Sequence, residues 1–61
     1  MLIIKQLREQ RGISIRKLAE LTGITKSSLN DLENNRRMAK TQELELLSKA
    51  LNVTEEELWR R

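Results

Sequence analysis

Residues Ser14 to Glu33, SIRKLAELTGITKSSLNDLE, constrain the fold more than any other stretch, because they read as two short helices hinged at one glycine. In the first, Ile15, Leu18, Ala19 and Leu21 recur at helical spacing behind Ser14. A serine hydroxyl there can accept a hydrogen bond from one of the unpaired N–H groups of a helix start. Gly23 ends that helix, since glycine enters the left-handed conformation without steric cost. Thr25 is a second N-cap, and behind it Leu29 and Leu32 mark the inner side of a second helix. Lys26, Ser27, Ser28, Asn30 and Asp31 are left on its other sides. The second helix therefore has a narrow apolar stripe and a broad face of hydrogen-bonding groups, the form required to read base edges in a DNA groove.

The flanking sequence supplies further helices. Leu2 to Arg11 is expected to be helical, with Ile3, Ile4 and Leu7 inward and Gly12 at its end. Asn34 to Lys40 is a loop, entered through an Asn-Asn pair suited to left-handed turns. Thr41 to Leu51 is a fourth helix with Leu44, Leu47, Ala50 and Leu51 inward, Leu46 at the edge and Asn52 as its left-handed cap. Thr54 and Glu57 form a T-x-x-E capping box, predicting a short fifth helix from about Glu55 with Leu58 inward. Proline is absent and Trp59 is the sole aromatic, which favours an all-α fold, a compact bundle of five helices.

Sixty-one residues allow one small domain, expected over 1–61. With no cysteine and no histidine, the chain has neither a disulfide staple nor zinc-ligand spacing, and it lacks the usual general base and thiol nucleophile. No phosphate-cradling glycine motif occurs, so neither an enzyme nor a cofactor or small-molecule site is expected. No apolar run approaches the roughly 18 residues of a membrane span, and Met1 to Ile4 is cut short by Lys5. A cytoplasmic protein without membrane contact is the expectation. The net charge is +3, divided unevenly: residues 1–40 hold nine Lys/Arg against four acids, and residues 41–61 hold three against five. A basic front and an acidic back suit a polyanionic partner, though +3 is equally ordinary as solubilising charge.

Leu18-Ala19, Gly23-Ile24, Thr25, Leu29, Leu32 and Glu33, in that order and spacing, resemble the helix-turn-helix of the XRE family, which includes phage lambda repressor and Cro. The resemblance runs from about Leu2 to Trp59 and implies a lambda-repressor-like fold, with double-stranded DNA as partner. It departs at Ile15, where many members carry a phosphate-contacting glutamine, and in the loop, where glycine near Asn35 and proline near Ala39 are replaced. By resemblance, Lys26, Ser27, Asn30 and Asp31 read bases, with Lys26 donating to guanine and Asp31 accepting from cytosine or else bracing Lys26 or Asn30. Ser14, Arg16, Lys17, Thr25 and Ser28 lie at helix starts facing phosphates, and Arg36, Arg37 and Lys40 extend the contact along the backbone. Taken without the resemblance, these are a solvated helix face and a basic loop. Arg8 and Glu33 occupy positions that often form an internal ion pair in the family. The implied function is a transcriptional repressor acting as a homodimer on a two-fold operator, with Trp59, Leu46 and Met38 as the expected dimer surface. The alternative is a protein-interaction module such as an antitoxin-type domain, although 61 residues leave little room for a toxin-binding extension.

Overall fold

The computed structural model describes residues 1–59; Arg60 and Arg61, counted in the basic total above, lie outside the described residues. Among the described residues four α-helices follow one another: α1 (Ile4–Gln10), α2 (Ile15–Thr22), α3 (Lys26–Glu33) and α4 (Thr41–Leu51). A single 3-10 turn, Glu56–Leu58, stands where a fifth helix was expected. The T-x-x-E bonds are present: Glu57 N–H donates to Thr54 Oγ1 at 3.2 Å, and Thr54 Oγ1 lies 3.1 Å from Glu57 Oε1. The turn goes no further because Trp59 is already extended, at φ −108° and ψ 142°, and pairs with Leu2 in an isolated antiparallel bridge. Pairing the two ends of the chain thus replaces helix propagation.

The same pairing shortens the first helix, which begins at Ile4 instead of Leu2. Ile3 N–H donates to the Leu58 carbonyl at 2.9 Å. Asn35, from the loop after α3, acts as a neighbouring strand would. Its Oδ1 accepts from Leu2 N–H at 3.1 Å and its Nδ2 donates to the Leu2 carbonyl at 3.3 Å. Asn35 holds a left-handed φ of 54°, and Asn52, capping α4, holds 56°. Both asparagines thus adopt the conformation that elsewhere in such chains falls to glycine.

Leu2, Ile4, Leu7, Leu18, Ile24, Leu29, Leu32, Leu47, Leu51 and Leu58 form one core drawn from every element. Seven side chains, including Leu29 and Leu32 of α3, are completely enclosed. Each stabilises the fold by about 1.5–3 kcal/mol before chain entropy is set against it. The inner stripe of α2 differs from expectation at one place. Leu21 is 50% exposed, and Thr22 is buried instead. At about 100° per residue, Thr22 continues the line of Ile15, Leu18 and Ala19, whereas Leu21 falls beside it. Thr22 is tolerated inside because its hydroxyl is satisfied twice: it donates to the Leu18 carbonyl at 2.8 Å and accepts from Ile24 N–H at 3.1 Å. No helix among the described residues is long and apolar enough to cross a membrane.

Candidate nucleic-acid interface

Helices α2 and α3 are joined by a turn whose groups are all local. Ser14 Oγ accepts from Lys17 N–H at 3.0 Å at the start of α2. Gly23 caps the other end at φ 76°, with its N–H on the Ala19 carbonyl at 2.8 Å. Thr25 Oγ1 accepts from Ser28 N–H at 3.2 Å to open α3. Ile24 is buried between the two and ties the turn to the core. Since Leu29 and Leu32 anchor α3 along one edge, Lys26, Ser27 and Asn30 are left exposed, with Ser28 and Asp31 half-buried beside them.

The start of α2 and the start of α3 converge on one shallow notch, lined by Ile15, Lys26, Ser27 and Asn30. Each helix start carries partial positive charge, so this face attracts anions even before side chains are counted. The cap bonds use lone pairs of Ser14 and Thr25, and their O–H donors remain available to a phosphate. Arg16 and Lys17 are exposed on the first turn of α2. Asn30 is partly engaged within its own helix, because Asn34 Nδ2 donates to the Asn30 carbonyl at 2.8 Å and to its Oδ1 at 3.3 Å.

The loop cations are not equivalent. Arg36 is exposed and reaches Asp31 at 3.5 Å, a solvent-facing pair of small energetic weight. Arg36, then, is the partner that Asp31 finds, in place of Lys26 or Asn30. Arg37 is held more firmly. Its guanidinium donates to both carboxylate oxygens of Glu43, at 2.9 and 2.7 Å, and to the Met38 carbonyl at 3.1 Å. The Glu43 carboxylate also accepts from Lys40 N–H at 2.9 Å, closing the start of α4. These donors, the Arg37 guanidinium foremost, lower the Glu43 pKa from 4.5 to about 2. Arg37 is therefore a brace that fixes the loop against α4, with much of its charge already answered. The sequence signal for this was Glu43 at the third position of α4, where a carboxylate reaches back to the helix start. Lys40 is exposed on the same loop.

Arg8 and Glu33 meet as a two-pronged pair, Nε to Oε2 at 2.9 Å and Nη2 to Oε1 at 3.2 Å, while Nη1 donates to the Ile13 carbonyl at 2.9 Å. The side chains are 14% and 5% exposed, so the pair is largely withdrawn from water. It locks the last residue of α3 to α1 and thereby fixes the angle at which α3 is presented. Elsewhere on the surface, Trp59 and Leu46 are each 41% exposed and Met38 is 85% exposed. Among the described residues no cluster of three or more His, Cys, Asp or Glu side chains could hold a metal ion.

Comparison with known proteins agrees with this geometry. A helix-turn-helix family model matches residues 4–58. The HTH-type transcriptional regulator SutR of Escherichia coli K12 is 42% identical over 50 residues, which cover 82% of this chain and 28% of SutR. The chain thus spans little more than a quarter of that relative. The N-terminal DNA-binding domain of SinR from Bacillus subtilis superposes with a TM-score of 0.86 at 37% identity, over 95% of this chain and 86% of that one. The restriction-modification controller protein C.AhdI from Aeromonas hydrophila superposes at 0.87 and 28% identity, over 92% and 85%. SinR has also been solved in complex with the SinI protein; the matching chain of that complex superposes at 0.85 and 37% identity, over 95% of this chain and 57% of that one.

Proposed function

The chain belongs to the XRE-type helix-turn-helix family of DNA-binding regulators, and from that premise we propose that it is a transcriptional repressor that binds double-stranded DNA sequence-specifically as a homodimer. The observation that carries the reading is the convergence of two helix starts on one face with Lys26, Ser27 and Asn30 pointing out of it. In this arrangement α3 enters the major groove and Lys26 donates to guanine O6 and N7, with Ser27 and Asn30 alongside. Arg16, Lys17, Arg36 and Lys40 lie along the flanking phosphates, and the hydroxyls of Ser14, Thr25 and Ser28 complete the contact. Occupancy of the operator then blocks transcription.

Size supports the dimer. The longest Cα extent of the domain is 26 Å. Half-sites of a two-fold operator lie roughly 34–36 Å apart, so one copy covers one half-site. Trp59 and Leu46 offer apolar surface to the second copy, in the acidic third of the chain. Titration of duplex DNA at a series of salt concentrations tests the reading. With four exposed cations on phosphates, log K should fall against log salt with a slope of about −3 to −4 per copy. A slope near zero would discard it. That outcome favours the second reading, a module that binds another protein, for which the exposed Trp59 and the existence of a SinR–SinI complex speak.

A further inference from the structure

Ile15 is the one apolar side chain lining the notch on the proposed groove-facing surface, beside Lys26, Ser27 and Asn30. It is the first residue of α2, half-buried, and its inner part packs against the core. Core packing explains the inner part. It does not explain why an isoleucine, and not a polar residue, borders the notch at a helix start whose other groups suit anions.

We infer, on the proposal that this face enters the major groove, that Ile15 reads the 5-methyl group of a thymine there. Phosphate is excluded as the partner of its side chain, which has no donor and would strip water from the anion without replacing it. Among the groups that base edges show in the major groove, the thymine methyl is the apolar one; guanine, cytosine and adenine show donors and acceptors. Lys26 and Ser27, at the start of α3 across the notch, engage those donors and acceptors. The notch thus joins an apolar reader to polar ones, and Ile15 becomes a specificity determinant: thymine is preferred over cytosine at one base pair of each half-site.

The test changes the DNA and leaves the protein intact. A duplex is first selected from a random pool with the whole chain, and each thymine is then replaced singly by deoxyuridine, which lacks only the methyl. A single replacement should weaken binding about fourfold, the value of one buried carbon. Ile15→Ala should bind the thymine and uracil duplexes equally at that position, while its response to changes at the base pair read by Lys26 is preserved. Ile15→Gln serves as a second variant, with the same loss of methyl discrimination expected. Indifference of the parent to every uracil replacement overturns the inference while leaving DNA binding in place. So does methyl discrimination that survives in a folded Ile15 variant. Failure to select any duplex overturns the DNA-binding reading itself, and this inference with it.

Discussion

Replacing Glu33 by glutamine should nearly unfold the domain. The carboxylate is 5% exposed and holds two N–H groups of Arg8, whose third bond goes to the Ile13 carbonyl. A glutamine of the same shape keeps one acceptor but turns an NH2 toward the guanidinium, leaving a withdrawn positive charge without its counter-charge. Breaking a buried pair in this way costs about 3–5 kcal/mol. A domain of this length has only about 3–9 kcal/mol in total. With a shift of about 4–8 °C per kcal/mol in so small a domain, Glu33→Gln should lower the midpoint by at least about 12 °C in a melt followed by circular dichroism. The double variant Arg8→Met, Glu33→Leu should recover much of the loss, because well-packed apolar side chains replace such a pair at little cost. A Glu33→Gln melt within about 3 °C of the parent, the shift of an exposed pair, would refute the assignment of this pair as the lock between α1 and α3.

Other consequences concern the loop and the exposed Trp59. Arg36→Ala should weaken all DNA sequences alike and flatten the salt slope by about one unit, whereas Arg37→Ala should act chiefly by loosening the loop and should flatten it less; salt titrations of both variants check this, and a larger slope change for Arg37→Ala would contradict it. Glu43 contributes stability that is complete above its unfolded pKa of 4.5 and is lost as pH falls toward about 2. Allowing for solvent screening, about 1–2 kcal/mol should separate the acid denaturation curves of the parent and Glu43→Gln, and parallel curves would count against the brace. Trp59→Ala should give a folded chain that sediments as a monomer and binds half-sites weakly; unchanged association at matched stability would remove Trp59 from the interface.

Features set by nearest neighbours in the chain were legible before the structure. Ser14, Gly23, Thr25 and Asn52 act on groups within four residues, so spacing alone locates them. The inner faces of α3 and α4 follow from periodicity for the same reason. What could not be read depended on distant partners. The pairing of Leu2 with Trp59 and with the Asn35 side chain brings together residues more than thirty positions apart, and it shortens α1 and stops the last turn. Arg37 looked like its neighbours Arg36 and Lys40 in sequence; Glu43 at the third position of α4 signalled a carboxylate near the loop, and the approach of the loop to α4 decides which cation it takes. Thr22 takes the inward helical position that Leu21 misses, and two local hydrogen bonds make its hydroxyl tolerable there, a condition that hydrophobicity patterns do not register. For the candidate interface, the polar face of α3 was visible as a pattern, while the convergence of Ile15 with Lys26, Ser27 and Asn30 needed the angle between two helices.

The claim that α3 reads bases is tested most directly by selecting duplexes from a random pool with the parent and with Lys26→Ala side by side. The parent should enrich a two-fold motif with half-sites about one helical turn apart. Lys26→Ala should enrich the same motif with preference relaxed at one base pair per half-site, and should lose about 1–3 kcal/mol on the parent site. Identical motifs and affinities from the two proteins, or no motif from the parent, would contradict the claim.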